Sequence, residues 1–144
     1  MFLDASAIVS ILAQEDDADL LTQQLEAAKT QRYVSPTTIF EAAMALARIA
    51  AKEAKTSVSR EIIEKAQATL DEFVATVGAK EVEISGDIGR RAIEAAKLYG
   101  RLVGHRASLN FGDCFAYACA KAHRVPLLYK GNDFGHTGVN ANLI

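Results

Sequence analysis

The sequence has no uninterrupted apolar run that approaches the roughly 18 residues needed to span a membrane. Its first residues lack the basic segment of a signal peptide and place Asp4 where such a peptide would be apolar. The 144 residues, half of them hydrophobic, contain no repeats, linkers or low-complexity segments. These absences predict one globular domain over residues 1–144, in the cytoplasm and without contact with a membrane.

Cysteine and histidine are scarce, and neither follows a ligand pattern. The two cysteines, Cys114 and Cys119, lie five positions apart on one predicted helix, which is not a C-x-x-C motif. The three histidines, at positions 105, 123 and 136, show no zinc-ligand spacing. The sequence therefore predicts no disulfide framework and no zinc site, and the cysteines are expected to be buried as small apolar side chains.

Charge is divided unevenly along the chain, although the net charge is only −2. Residues 1–85 carry 14 acidic and 8 basic side chains, whereas residues 86–144 carry 4 acidic and 8 basic ones. The basic half could meet a polyanion, because a local patch matters more than the total charge. An ordinary solvated surface explains the same charges equally well.

Short apolar or alternating segments predict four strands, and the spacing of apolar residues predicts six helices between them. The predicted strands cover residues 1–4, 32–34, 80–84 and 126–129. The predicted helices cover residues 5–13, 18–29, 36–54, 57–77, 86–104 and 110–123, with Ser35 and the Thr56-Ser57 pair as two of the caps. A turn is predicted at 131–134 and an edge strand at 139–144. This alternation predicts an α/β fold with a short, mainly parallel sheet flanked by helices.

Four acidic residues stand next to or within apolar segments: Asp4, Glu41, Asp113 and Asp133. Asp4 and Asp133 directly follow predicted strands, and Glu41 lies one and a half turns into the helix after the second strand. Sites in open parallel sheets form beyond the carboxyl ends of the strands. A lone buried carboxylate costs several kcal/mol unless it is paired or binds a metal. The four acids therefore predict one cation site that is assembled by folding.

Each acid also has a simpler interpretation when it is taken alone. Asp4 is suited to cap the first helix, and Asp113 to begin the last one. Glu41 could be an exposed position on a polar stripe, and Asp133 could be a turn residue. These interpretations remain open at this point.

The contexts of the four acids, in their order along the chain, resemble the PIN-domain family, and within it the VapC-type toxins of bacterial toxin–antitoxin pairs. The segments that carry the resemblance are Leu-Asp-Ala-Ser-Ala, Ser-Pro-x4-Glu-x2-Met-Ala-Leu, Leu-Asn-Phe-Gly-Asp-Cys-Phe-Ala-Tyr and Pro-Leu-Leu-Tyr-Lys-Gly-Asn-Asp-Phe. Each segment alone is weakly specific, whereas the ordered set covers the whole chain. The resemblance implies a PIN-like single domain.

The resemblance also implies roles for individual residues. Asp4, Glu41, Asp113 and Asp133 match the acidic quartet of the family, with Asp4 and Asp113 as its best-established metal ligands. Asn132 could share the role of the fourth acid. Ser6 and Asn110 match supporting polar positions. Ligands that are all oxygen atoms favour a hard cation such as Mg²⁺ or Mn²⁺.

The implied function is a Mg²⁺- or Mn²⁺-dependent endoribonuclease that cleaves RNA phosphodiesters with metal-activated water. As a type II toxin it would be held by a VapB-like antitoxin. A homodimer is predicted as well, because the family usually pairs two-fold and the third and fourth helices carry many apolar residues, including Ile39, Phe40, Ile49, Ile62 and Phe73. Phosphate contacts are predicted from basic side chains near the pocket: Lys130, Arg106, His105, Arg90, Arg91, Lys97 and Arg101. The alternatives are a catalytically silent PIN-like binding module and a receiver-like phosphoacceptor domain.

Overall fold

The centre of the fold is a parallel sheet of very short strands. The computed structural model describes residues 1–140. The strands are β1 (Phe2–Leu3), β2 (Tyr33–Val34), β3 (Lys80–Glu81) and β4 (Leu127–Leu128). Their order is β3-β2-β1-β4, and every pair is parallel. The predicted α/β fold with a short parallel sheet is confirmed, and the first strand of the chain lies inside the sheet.

Six α-helices surround the sheet within the described residues. They are α1 (Ala5–Leu12), α2 (Ala18–Ala27), α3 (Pro36–Glu53), α4 (Arg60–Thr76), α5 (Gly86–Tyr99) and α6 (Phe111–His123). Two short 3-10 helices cover Arg101–Val103 and Asp133–His136. No helix in residues 1–140 has the length and apolarity that a bilayer span requires.

Each face of the sheet is covered by its own apolar cluster. Successive side chains of a strand point to opposite faces, and β1 shows this with two fully buried residues. Phe2 packs into a cluster formed mainly by α5 and α6, which also buries Cys114 and Cys119. Leu3 packs into a second cluster formed mainly by α1 to α4. Both cysteines are free and buried, as predicted.

Polar caps fix where the helices begin. The side chains of Ser35, Ser59 and Ser85 each accept a hydrogen bond from a backbone N–H in the first turn of the helix that follows. The prediction of Thr56-Ser57 as the cap of α4 is wrong, because Ser59 holds that position. The segment Thr-Ser-Val-Ser offers three cap residues within four positions, so the sequence alone does not decide which of them begins α4.

The predicted helix over 86–104 is interrupted. α5 ends at Tyr99, and Gly100 adopts an extended backbone before the 3-10 helix Arg101–Val103. A Cβ at Gly100 would collide with the carbonyl oxygen of Ala96, so the chain turns where only a glycine fits. The third strand is also shorter than predicted, since only Lys80–Glu81 pair with β2.

Asn140, the last of the described residues, caps the sheet edge formed by β4. The side chain of Asn140 accepts a hydrogen bond from the backbone N–H of Leu127 (2.9 Å) and donates one to its carbonyl (3.1 Å). Residues 139 and 140 lie in or beside a turn rather than in a strand. The remainder of the edge strand predicted at 139–144 lies outside the described residues.

Candidate active site

All four predicted acids line one cavity of about 400 Å³. Asp4 follows β1, Asp133 opens the 3-10 helix after β4, and β1 and β4 are neighbours in the sheet. Glu41 comes from α3 and Asp113 from the first turn of α6. Folding therefore brings together four carboxylates from separate elements at the carboxyl end of the sheet, where the sequence placed them.

Asp4 caps a helix and lines the cavity at the same time. Its side chain is 4% exposed, and its Oδ2 accepts hydrogen bonds from Ser6 N (3.0 Å) and Ser6 Oγ (2.5 Å). Burial raises the pKa of Asp4 and outweighs these hydrogen bonds, which act in the opposite direction. The capping interpretation and the site interpretation are therefore compatible for this residue.

Ser6 joins the two strand ends that carry the acids. Its hydroxyl donates to Asp4 and accepts a hydrogen bond from the backbone N–H of Lys130 at 3.0 Å. Lys130 follows β4, so one hydroxyl ties the segment after β4 to the first turn of α1. The prediction of Ser6 as a supporting residue is consistent with these contacts.

Asp113 and Asn110 form a capping box at the start of α6. Asn110 Oδ1 accepts a hydrogen bond from Asp113 N (3.0 Å), and Asn110 N donates to Asp113 Oδ2 (2.7 Å). Burial raises the pKa of Asp113 to about 6, against the effect of the Asn110 N–H and with help from the charges of Asp4 and Asp133. Asp113 is therefore a helix-start residue whose carboxylate also faces other acids.

Glu41 is half-buried, so its interpretation as an exposed stripe position does not hold. Burial raises the pKa of Glu41, the charges of Asp4 and Asp113 raise it further, and Arg48 opposes them. Its carboxylate lies against Gly112 in α6, since a Cβ built on that glycine would collide with it. Glu41 thus belongs to the acidic cluster rather than to the solvated face of α3.

The fourth acidic position falls on Asp133 rather than on Asn132. Asp133 lines the cavity, whereas Asn132 lines a separate one together with Asp17 and Leu20. Asp133 is exposed and opens the 3-10 helix at its position, so it is a turn residue as well. The geometry favours Asp133 over Asn132 as a neighbour of the other three acids.

Only some of the basic side chains predicted near the pocket lie there: Lys130 lines the cavity, and the charge of Arg101 opposes the rise in the pKa of Asp113. Lys130 Nζ pairs with Glu15 Oε2 (2.7 Å) and Asp17 Oδ1 (3.5 Å), so other carboxylates than the quartet hold its charge. Arg106 is exposed and is not part of the cavity wall, and neither is His105, whose Nδ1 accepts a hydrogen bond from Ala107 N. The basic residues of α5 pair with acids on the same helix: Arg91 with Asp87, Lys97 with Glu94, and Arg90 with Asp87 at 4.0 Å. After α5, Arg101 Nε donates a hydrogen bond to Ser108 Oγ.

Two charged residues of the cavity wall, Arg48 and Glu15, were not identified from the sequence. Arg48 lies seven positions after Glu41 on α3, a spacing that places both on one face of a helix and could have revealed it. Glu15 lies in the turn after α1, next to Gln14 with its positive φ of 53°. No local pattern would have placed Glu15 beside Lys130, 115 positions away.

The donor set fits a hard divalent cation, although no three candidate ligands among residues 1–140 converge on one point as they stand. Two of the carboxylates are engaged locally, since Asp4 accepts hydrogen bonds from Ser6 and one oxygen of Asp113 accepts the N–H of Asn110. Mg²⁺ commonly binds through one or two carboxylates and keeps several waters. The cavity volume and its oxygen donors allow that mode of binding.

Comparison with known proteins gives relatives over almost the entire chain. The PIN domain family model matches residues 1–140. A VapC ribonuclease of Rhizobium meliloti is 42% identical over 137 residues, which cover 94% of this chain and 96% of the relative. Ribonuclease VapC28 of Mycobacterium tuberculosis is 38% identical over 143 residues, which cover 99% and 98% of the two chains.

Solved structures show the same fold at lower identity. VapC20 of Mycobacterium tuberculosis, a toxin that cleaves the sarcin–ricin loop, superposes with a TM-score of 0.66 at 18% identity and covers 95% of this chain and 94% of its own. A chain of a toxin–antitoxin complex from Klebsiella pneumoniae superposes with a TM-score of 0.59 at 20% identity. The match covers 92% of this chain and 88% of the chain from the complex. The family match and the sequence relatives together decide the assignment: the chain belongs to the PIN-domain family, among its VapC-type ribonucleases.

Proposed function

We propose that this protein is the toxin of a type II toxin–antitoxin pair and acts as a Mg²⁺- or Mn²⁺-dependent endoribonuclease. One observation carries the proposal: four carboxylates from separate elements line a single cavity, and burial raises the pKa of three of them. The names of the sequence relatives, which are VapC ribonucleases, support the reaction. Buried acids at such a density are characteristic of sites that bind a cation.

Asp4, Glu41, Asp113 and Asp133 are the residues that would hold the cation. Bound there, it would offset the negative charge of the scissile phosphate and lower the pKa of an attacking water. The four carboxylates alone repel an RNA phosphate. Because the pKa of Asp113 is about 6, this carboxylate is mostly ionised at neutral pH and can serve as a ligand.

Arg48 is the basic side chain that we assign to the RNA. It is exposed at the wall of the acidic cavity, next to Glu41 on α3. A guanidinium can hold a phosphate through two parallel hydrogen bonds. Lys130 is instead held by Glu15 and Asp17, and its backbone N–H supports Ser6. A phosphate would have to compete with two carboxylates for that ammonium group.

The structure argues against one alternative function, the receiver-like phosphoacceptor domain, but not against the other, the silent PIN-like binding module. A receiver-like domain needs a phosphoacceptor aspartate near the other acids, but Asp87, which follows the third strand, pairs with Arg91 on the exposed side of α5. A silent PIN-like binding module has no such obstacle and is separated from the nuclease only by an activity assay. The intact acidic quartet favours the nuclease.

The surface beside the acids offers a place for an antitoxin segment. An apolar groove of about 560 Å³ adjoins the cavity and is lined by side chains of α5, α6 and their connection, including Ile93, Leu102, Leu109, Phe111 and Phe115. Leu102 is fully exposed and Phe111 is 72% exposed. Asn110 borders both the groove and the acidic cavity. We therefore expect apolar antitoxin side chains in the groove, followed by an arginine that reaches the acids.

Expression in the native host tests the proposal directly. Without antitoxin the protein should arrest growth, and new RNA 5′ ends should accumulate at defined positions within minutes of induction. Co-expression of the antitoxin should prevent both effects, and an Asp113→Asn control should cause neither. If growth continues while the RNA is cut, the toxin assignment fails. Growth arrest without new 5′ ends would count against the ribonuclease.

A homodimer remains a prediction, and fewer of the apolar residues expected at its interface are exposed than the sequence suggested. Among the apolar residues of α3 and α4 on which it rested, Ile39 and Phe73 pack against the core of their own domain. Phe40, in contrast, is 68% exposed. Light scattering of the antitoxin-free protein should give twice the chain mass of 15.5 kDa, and Phe40→Ser should lower the dimer fraction. A monomer mass at tens of micromolar protein would refute the dimer.

A further inference from the structure

Gly112 occupies the place where α6 comes closest to the carboxylate of Glu41. It is the second residue of α6, directly before Asp113. The three atoms nearest to a Cβ built on Gly112 all belong to Glu41: the two carboxylate oxygens and Cδ, with Oε2 colliding outright. Cδ would lie at 2.9 Å and Oε1 at 3.1 Å. The space that a methyl group would need is thus already filled by one carboxylate.

The backbone does not require glycine at this position. Gly112 has no positive φ and lies in a regular first helical turn, where alanine is the better helix former. Gly89 in α5 offers a contrast, because it is also helical without a positive φ but has no atom within 4 Å of its Cβ position. The two glycines differ mainly in what a methyl group would displace.

We propose that Gly112 is a positioning residue of the active site, which keeps the Glu41 carboxylate beside Asp113 by leaving it room against α6. The inference rests on the proposed nuclease function for its catalytic meaning, although the contact itself is independent of it. Glu41 is only half-buried, so its flexible side chain can swing outwards if a methyl group takes its place. The fold would then survive while the acidic cluster loses one member.

The direct test compares Gly112→Ala with Gly89→Ala, both in the full chain and without antitoxin. Gly112→Ala should lower kcat for RNA cleavage about 10- to 100-fold, as expected for a misplaced group at a reacting centre. It should also weaken the binding of Mn²⁺ alone, measured by calorimetry without RNA. Gly89→Ala should keep wild-type cleavage and Mn²⁺ affinity and raise Tm by roughly 2 °C through helix propensity.

A double-mutant cycle with Glu41→Ala decides whether Gly112 acts through that carboxylate. Once the carboxylate is absent, Gly112→Ala should not weaken Mn²⁺ binding any further and should raise Tm as much as Gly89→Ala does. In the wild-type background its gain in Tm should be smaller. Wild-type kinetics in Gly112→Ala would overturn the inference, as would an equal change in Tm in both backgrounds.

The same cycle separates this inference from the proposed function. If the wild-type protein neither binds Mn²⁺ nor cuts RNA, the nuclease proposal fails, and the Tm cycle still decides whether Gly112 makes room for Glu41. If the wild type is active but the two substitutions act independently in every readout, the nuclease stands and the positioning role of Gly112 is refuted.

Discussion

Asp113→Asn is expected to reduce RNA cleavage by at least about a thousandfold, which corresponds to about 4 kcal/mol of activation barrier. The substitution removes one charged ligand but preserves size and shape. The new amide oxygen can still accept the hydrogen bond that Asn110 N donates to Asp113 Oδ2, so the start of α6 should be retained. Removing one charge from among Asp4, Glu41 and Asp133 also relieves repulsion. The melting temperature should therefore be unchanged or higher.

The assay is cleavage of a mapped RNA in Mg²⁺, with EDTA as the metal-free reference. Asp87→Asn is a matched control, because Asp87 is also an aspartate in the first turn of a helix but lies on the exposed side of α5. This control should cut RNA at the wild-type rate. An Asp113→Asn protein that matches the wild type in Mg²⁺ would falsify the metal mechanism.

Mg²⁺ or Mn²⁺ is expected to raise the melting temperature more at about pH 8 than at about pH 5.5. The folded pKa values of Asp4, Glu41 and Asp113 are raised by burial, that of Asp113 from 3.8 to about 6. Between the unfolded and folded pKa values the native state holds more protons than the unfolded chain. The stabilising effect of these groups is thus complete below the unfolded pKa and is lost as pH rises through the folded pKa.

The cation reverses this loss because it binds the ionised folded site. At a hundredfold excess over its Kd, a ligand specific for the native state adds about 2.7 kcal/mol of stability. At about pH 5.5 protons compete for the same carboxylates, and the increment is smaller. Thermal unfolding at the two pH values, with and without metal, measures the difference. In the Asp4→Asn/Asp113→Asn double variant most of the increment should disappear, and its persistence would show that these acids do not bind the cation.

The sequence was sufficient to locate the acids because strand ends and helix starts are local features. Asp4 directly follows β1, Asp133 opens the 3-10 helix after β4, and parallel strands deliver their carboxyl ends to one edge of the sheet. Asp113 follows Asn110 at the spacing of a capping box, which fixes its place at the start of α6. For these three residues the chain position almost determines the spatial position.

The remaining details depend on contacts that no local pattern encodes. Lys130 was expected to face phosphates, but Glu15 and Asp17 from the other end of the chain bind it instead. The space that Gly112 leaves for Glu41 exists only because α3 and α6 pack together. The periodicity of apolar residues predicts the helices and strands, whereas the contacts of each side chain depend on how those helices and strands pack together.

The carboxamide of Asn140 has a consequence for how other proteins can approach this domain. It occupies the outward N–H and C=O of Leu127, the groups that an incoming extended peptide would use to add a strand to β4. The opposite edge, β3, consists of exposed Lys80 and Glu81, whose charges discourage such pairing. Both edges of the sheet thus disfavour strand addition by a partner and the edge-to-edge stacking that begins aggregation.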